Sequence, residues 1–144
     1  MSAQAPSTIR RSIRPSSPRL YPALRDPRYA KAPQWLSEVQ GDSVNKLNIF
    51  DGDLVHVVDA IAIGYYPLDG DIVEVERLRY GGLERELTIK QVEVTPSGWL
   101  LWPRSTNPRY QDPIEILNDG EPAEGTEVRI RGLVVRMHRV LSRG

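Results

Sequence analysis

At 144 residues, with 19 basic and 19 acidic side chains and no cysteine, the chain is long enough for one domain with a real core and carries neither disulfides nor thiolate zinc sites. No apolar run approaches the roughly 20 residues that cross a bilayer, and the N-terminus lacks the apolar centre of a secretory signal. A soluble cytoplasmic protein, without membrane contact, is expected.

The zero net charge hides an asymmetry at the start of the chain. Residues 1–31 hold seven basic residues against Asp26 alone, and the remainder is correspondingly acidic. A basic arm can track nucleic acid, but only Tyr21 and Tyr29 interleave with these charges, so a solvated linker is the simpler expectation. Pro6, Pro15, Pro18, Pro22 and Pro27 forbid a continuous helix or a central strand, and large apolar residues are too few to pack. Residues 1–30 are therefore read as a flexible basic arm and residues 31–144 as the folded domain.

From Trp35 onward, short runs rich in valine and isoleucine alternate with Gly, Pro and Asp turns, which marks a mainly β domain. Strands are predicted at Trp35–Gln40, Leu54–Val58, Ile72–Leu78, Leu87–Val94, Trp99–Trp102 and Val128–Val140. A short helical turn is expected over Asn45–Phe50, a hairpin at Tyr80–Gly82, and a turn-rich loop over Asn118–Gly125. The repeated pattern Asp51-Gly52-Asp53-Leu54-Val55 and Asp69-Gly70-Asp71-Ile72-Val73 places an Asp-Gly turn before a strand each time. It lacks the further oxygen ligands and closing glutamate of a calcium loop. No pair of amphipathic helices forms a helix-turn-helix, so the chain holds no DNA-reading module.

Few residues could carry chemistry. His56 and His138 are the only histidines, and nothing sets either beside a serine and a carboxylate as a triad requires. Without cysteine or clustered histidine, no metal site is expected. The segment Glu38-Val39-Gln40-Gly41-Asp42-Ser43-Val44-Asn45-Lys46 runs from a strand through a glycine into a short helical turn. Ser43 at such a bend is open to reaction, and the Asp42 and Ser43 N–H groups can point at one oxyanion. On the residues alone, Asp42 or Ser43 capping a helix explains the segment equally simply, and better by frequency.

Five pieces in order then resemble the LexA/UmuD family of self-cleaving serine peptidases, the carboxy-terminal domains of LexA-like and phage-type repressors. Gly41-Asp42-Ser43-Val44-Asn45 followed by Asp51-Gly52-Asp53 is similar to its Gly-Asp-Ser-Met…Asp-Gly-Asp signature. Gly70-Asp71-Ile72-Val73-Glu74-Val75 resembles its second strand pair, and Leu87-Thr88-Ile89-Lys90-Gln91-Val92 its lysine strand. Pro103-Arg104-Ser105-Thr106-Asn107-Pro108-Arg109-Tyr110 resembles its Asn-Pro turn, and Ile130-Arg131-Gly132-Leu133-Val134-Val135 its closing strand. The resemblance spans roughly Trp35 to Val140. It implies a twisted, mostly antiparallel fold like LexA and signal peptidase.

The resemblance further implies Ser43 as nucleophile and Lys90 as general base, with the Asp42 and Ser43 amides as oxyanion hole and no cofactor. Of the three lysines, Lys31, Lys46 and Lys90, only Lys90 lies in an apolar strand, where burial would bring its pKa toward neutrality. Implied partners are a second copy of the chain and activated RecA filament in the SOS response to DNA damage, with DNA reached only through a head absent here. Val44 stands where the family usually has methionine, and the interval of 47 residues from Ser43 to Lys90 is long, with Ala60–Tyr66 and Arg79–Glu86 as the turn-prone extras. No Ala-Gly or Cys-Gly pair precedes Ser43, so the cleavage bond is not evident. A UmuD-like translesion polymerase accessory and a non-cleaving binding module of the same fold remain open alternatives.

Overall fold

Valine and isoleucine runs cut short by glycine and aspartate favour extended backbone over helix. The computed structural model describes residues 9–11 and 13–15 by their backbone, and residues 25–118 and 127–139 in full. Among these residues are nine strands: β1 (Ile9–Arg11), β2 (Ile13–Pro15), β3 (Gln34–Val39), β4 (Leu54–Asp59), β5 (Ile72–Arg79), β6 (Glu84–Thr95), β7 (Gly98–Trp102), β8 (Ile114–Leu117) and β9 (Glu127–His138). Helical structure among them is confined to single 3-10 turns at Pro27–Tyr29, Asn45–Leu47 and Tyr80–Gly82.

The strands join in the order β2-β3-β4-β9-β5-β6-β7-β8, all antiparallel, while β1 runs parallel to β6 off that path. The expected mainly β, mostly antiparallel class is thus the class observed. The six predicted strands all form, with ends displaced by at most three residues. The turn at Asn45 is shorter than the Asn45–Phe50 predicted, and of the loop Asn118–Gly125 only Asn118 lies within the described residues.

The two Asp-Gly-Asp segments are one device used twice. Gly52 and Gly70 both adopt φ 89°, a left-handed conformation open to glycine at little cost. The Gly52 N–H donates to Val39 O on β3 at 2.8 Å, and the Gly70 N–H to Val92 O on β6 at 2.8 Å. Each first aspartate then accepts an amide two residues further along that strand: Asp51 from Gly41 and Asp69 from Val94. Each turn fixes the strand it opens against a neighbouring strand, β4 against β3 and β5 against β6.

Two apolar clusters fill the two sides of the sheet. Val39, Val44, Ile49, Val55, Val57, Leu87 and Ile89 form one; Val73, Val75, Val92, Leu101, Ile114 and Ile116 form the other. Strand β6 contributes alternate residues to both, as a two-residue period requires. Lys90 pairs with Val73 and Ile89 with Glu74, so Lys90 stands on the Val73 side and Ile89 on the Glu74 side.

Hydrogen bonding to the body extends to residues before 31. Asp26 is fully buried; its N–H donates to Gln34 Oε1 at 2.7 Å and its carboxylate takes the Arg28 guanidinium at 2.8 Å. Gln34 Oε1 also meets His56 Nε2 at 2.7 Å, which ties this segment through β3 to β4. The hydrogen-bonded body therefore reaches back at least to Arg25. Nor is the arm separate from the sheet: β1 pairs with Arg85–Leu87 and β2 with Ser37–Val39. Pro15 is compatible with β2 because an edge strand can spare one N–H.

Candidate active site

Ser43 is carried by the bend after β3. Gly41, at φ 85°, turns the chain, and the Asp51 carboxylate holds the Gly41 N–H at 2.8 Å. Val44 then drops into the first apolar cluster, fully buried, and anchors the residue next to Ser43. Val44 is thus a packing position. The 3-10 turn Asn45–Leu47 follows, closed by Asn48 in the left-handed region at φ 62°.

Lys90 reaches the same place from β6. Together with Glu86 and Thr88, its neighbours at alternate positions, it lines a cleft of about 830 Å³ that Gln40, Gly41, Asp42 and Ser43 also line. Arg77, Arg79, Pro103, Arg109, Tyr110, Asp112 and Pro113 complete it. Ser43 and Lys90 are each 6% exposed. Neither Ser43 Oγ nor Lys90 Nζ makes a hydrogen bond to the other or to any described residue. The structure thus gathers the sequence-predicted pair into one cleft without joining them directly. Catalytic hydrogen bonds in unliganded enzymes are often long and tighten only with substrate.

The electrostatics ease loss of the Lys90 proton. Burial, the dominant effect, brings the Lys90 pKa down to about 8, because an ammonium loses its hydration there. Glu86 pulls the other way and Arg77 supports the shift. Glu86 is itself engaged by Arg77 at 2.8 Å, which limits its hold on the lysine proton. Lys46 and Lys31 are both exposed and stand in water, so Lys90 is the buried amine of the three.

The amides of Asp42 and Ser43, expected as oxyanion donors, have no acceptor among the described residues and lie next to the Ser43 side chain in the chain. A second loop, residues 103–107, is hydrogen-bonded to this bend. Arg104 N–H donates to Ser43 O at 2.9 Å, and Lys46 N–H to Arg104 O at 2.8 Å. Asn45 and Thr106 exchange two bonds: Asn45 Nδ2 to Thr106 Oγ1 at 2.9 Å, and Thr106 N–H to Asn45 Oδ1 at 3.0 Å. Ser105 Oγ donates to Asp42 O at 2.7 Å.

Sequence reasoning did not assign roles to Ser105, Asn107, Glu86 or Thr88. The last two were readable from two-residue alternation back from Lys90 along β6; the first two lie within the Asn-Pro turn, but its contact with Asp42 leaves no local signature.

No protein-family model and no curated protein matches the chain.

Among the described residues, no group of histidine or acidic side chains is arranged to hold a metal ion. His56 Nε2 faces Gln34 and its Nδ1 is buried without a partner, while burial lowers its pKa. It does not line the cleft. His138 likewise lies away from Ser43 on β9. Among the described residues, no helix is long and apolar enough to cross a membrane.

Proposed function

We propose that the chain is a Ser43–Lys90 peptidase acting on a tethered segment, with the fold of LexA and signal peptidase. It would serve as the catalytic and self-association domain of a LexA-like or phage-type repressor, cleaved in the cytoplasm under stimulation by RecA filament after DNA damage. The observation that carries this reading is the convergence of a buried serine and a buried, pKa-lowered lysine on one cleft, from β3 and β6.

The chemistry follows from these groups. Neutral Lys90 accepts the Ser43 hydroxyl proton as Oγ attacks a peptide carbonyl carbon. The carbonyl oxygen becomes an oxyanion held by the Asp42 and Ser43 N–H groups. The C–N bond then breaks, the Lys90 ammonium gives its proton to the departing amine, and water hydrolyses the resulting ester. With a pKa of about 8, roughly a tenth of Lys90 is neutral at pH 7, which suits a slow reaction. Tethering offsets that slowness by raising the effective concentration of the scissile bond.

The arm supports self-directed action. β1 lies along β6 at Arg85–Leu87, just before Thr88 and Lys90, and β2 lies along β3 at Ser37–Val39, just before the Ser43 bend. Two extended pieces of the chain itself therefore lie against the lysine strand and the serine strand, as in strand-addition peptide recognition. One observation favours the alternative of a non-cleaving binding module: Ser43 Oγ and Lys90 Nζ are not hydrogen-bonded. Intact-mass spectrometry of the full chain after prolonged alkaline incubation separates the two. The peptidase reading expects loss of an N-terminal fragment that Ser43→Ala prevents; an intact wild type under all conditions favours the binding module.

A further inference from the structure

Behind Ser43, the loop after β7 is fastened to the bend after β3 by contacts between residues more than 60 positions apart in sequence. We propose that Ser105, backed by Asn107, is a positioning residue that aims the Ser43 amide at the oxyanion. The proposal rests on the peptidase reading above.

A trans peptide unit is planar, and its C=O and N–H point in opposite directions. Ser105 Oγ–H grips Asp42 O, one end of the Asp42–Ser43 peptide plane, at 2.7 Å. The other end is the Ser43 N–H, which donates to no described residue, so its direction is set by where Ser105 holds the carbonyl. The hydroxyl has one proton to give. Its acceptor side is occupied by the Asn107 N–H at 2.9 Å, which leaves the proton a single direction. Ser105 is only 2% exposed, so water does not compete.

Asn107 locks the neighbouring side chain. Its Oδ1 accepts the Arg109 N–H at 3.0 Å, which turns Nδ2 toward the Asp42 carboxylate oxygens at 3.2 and 3.3 Å. Arg104 N–H holds the carbonyl of Ser43 itself. Both carbonyls flanking the Ser43 amide thus have donors from one loop. A loop needed only for packing would not require its one buried hydroxyl to address this particular plane.

The test uses the full-length protein and a fluorophosphonate probe, followed from neutral to alkaline pH, with the adduct located by mass spectrometry. Ser43 Oγ bonds to phosphorus, the P–F bond breaks, fluoride leaves, and the hydroxyl proton passes through Lys90 to solvent. The phosphoryl oxygen takes the oxyanion's place. We expect Ser105→Ala to lower the plateau labelling rate about ten- to a hundredfold with the pH midpoint unmoved, and Ser105→Thr, which keeps the hydroxyl, to restore it to within about twofold. Collapse of the loop would instead rehydrate Lys90 and raise the midpoint together with the loss of rate. A wild-type plateau in Ser105→Ala, or a midpoint that moves with the rate, overturns the proposal. A wild type unlabelled at Ser43 overturns the nucleophile assignment and this proposal with it, an outcome distinct from the other two.

Discussion

A buried lysine and a buried glutamate share one two-stranded ribbon in this chain without forming an ion pair. The β5–β6 register sets Lys90 against Val73 and Glu74 against Ile89, so the two charges lie on opposite faces of one ribbon. Glu74 is 1% exposed; its Oε2 accepts from Ser37 Oγ at 2.8 Å and Trp35 Nε1 at 3.3 Å. Burial raises its pKa despite those two bonds. The folded state therefore keeps the Glu74 proton to higher pH than the unfolded chain does, and stability falls as pH rises from the ordinary glutamate range through the raised value. Glu74→Gln retains an acceptor for both donors and removes the buried charge. It is expected to raise stability by about 1 kcal/mol or more at mildly alkaline pH and to give little or no gain near pH 4. Thermal melts at the two pH values check this; a gain of equal size at both would contradict it.

At the scale of strands, β9 holds the sheet together, and it does so by bending. Its pairing with β4 slips by one residue between His56 and Val57, and its pairing with β5 slips between Glu74 and Val75. Gly132 sits between these irregularities, paired with Asp59 of β4 and Glu74 of β5. A Cβ there would stand 2.2 Å from Val57 Cγ1 and 2.9 Å from Val58 O. Gly132→Ala is expected to cost about 1–3 kcal/mol by overpacking, read as a lower denaturant midpoint at unchanged slope. The strands legible from sequence were those with their own apolar run, and both Asp-Gly-Asp turns were legible as turn chemistry. β8 was not, because Ile114-Glu115-Ile116-Leu117 is four residues long, follows a proline, and becomes a strand only through its pairing with β7. β1 and β2 were hidden by the prolines and charges of the arm; their ladder bonds depend on edges that β3 and β6 present from elsewhere in the chain. Ser43 and Lys90 were nameable from resemblance, whereas Ser105 and Asn107 act across contacts of 63 and 65 residues, where local patterning carries no information.

Over the whole molecule, the arm links the two ends of the run β3-β4-β9-β5-β6, since β1 pairs with β6, β2 pairs with β3, and one residue separates them. Two exposed edges that would otherwise invite other chains are thereby covered. A different edge stays open among the described strands. β9 pairs with β5 only as far as Leu133, and beyond it Val134–His138 has β4 on one side alone. A second copy could pair there about a two-fold axis. Sedimentation at increasing protein concentration is expected to show a monomer–dimer equilibrium; monomer alone at high concentration would contradict self-association through this edge.

The peptidase account turns on one comparison. An upstream segment containing an Ala-Gly bond is fused to the chain, and its cleavage rate is followed with pH in wild type, Ser43→Ala, Lys90→Ala and Lys46→Ala. With Lys90 proposed as the neutral base and its pKa lowered by burial, the wild-type rate should rise with pH and level off above about 8. Ser43→Ala and Lys90→Ala should not cut, and Lys46→Ala, which changes an exposed lysine, should cut like wild type. Lys90→Ala cutting as fast as wild type would contradict the account.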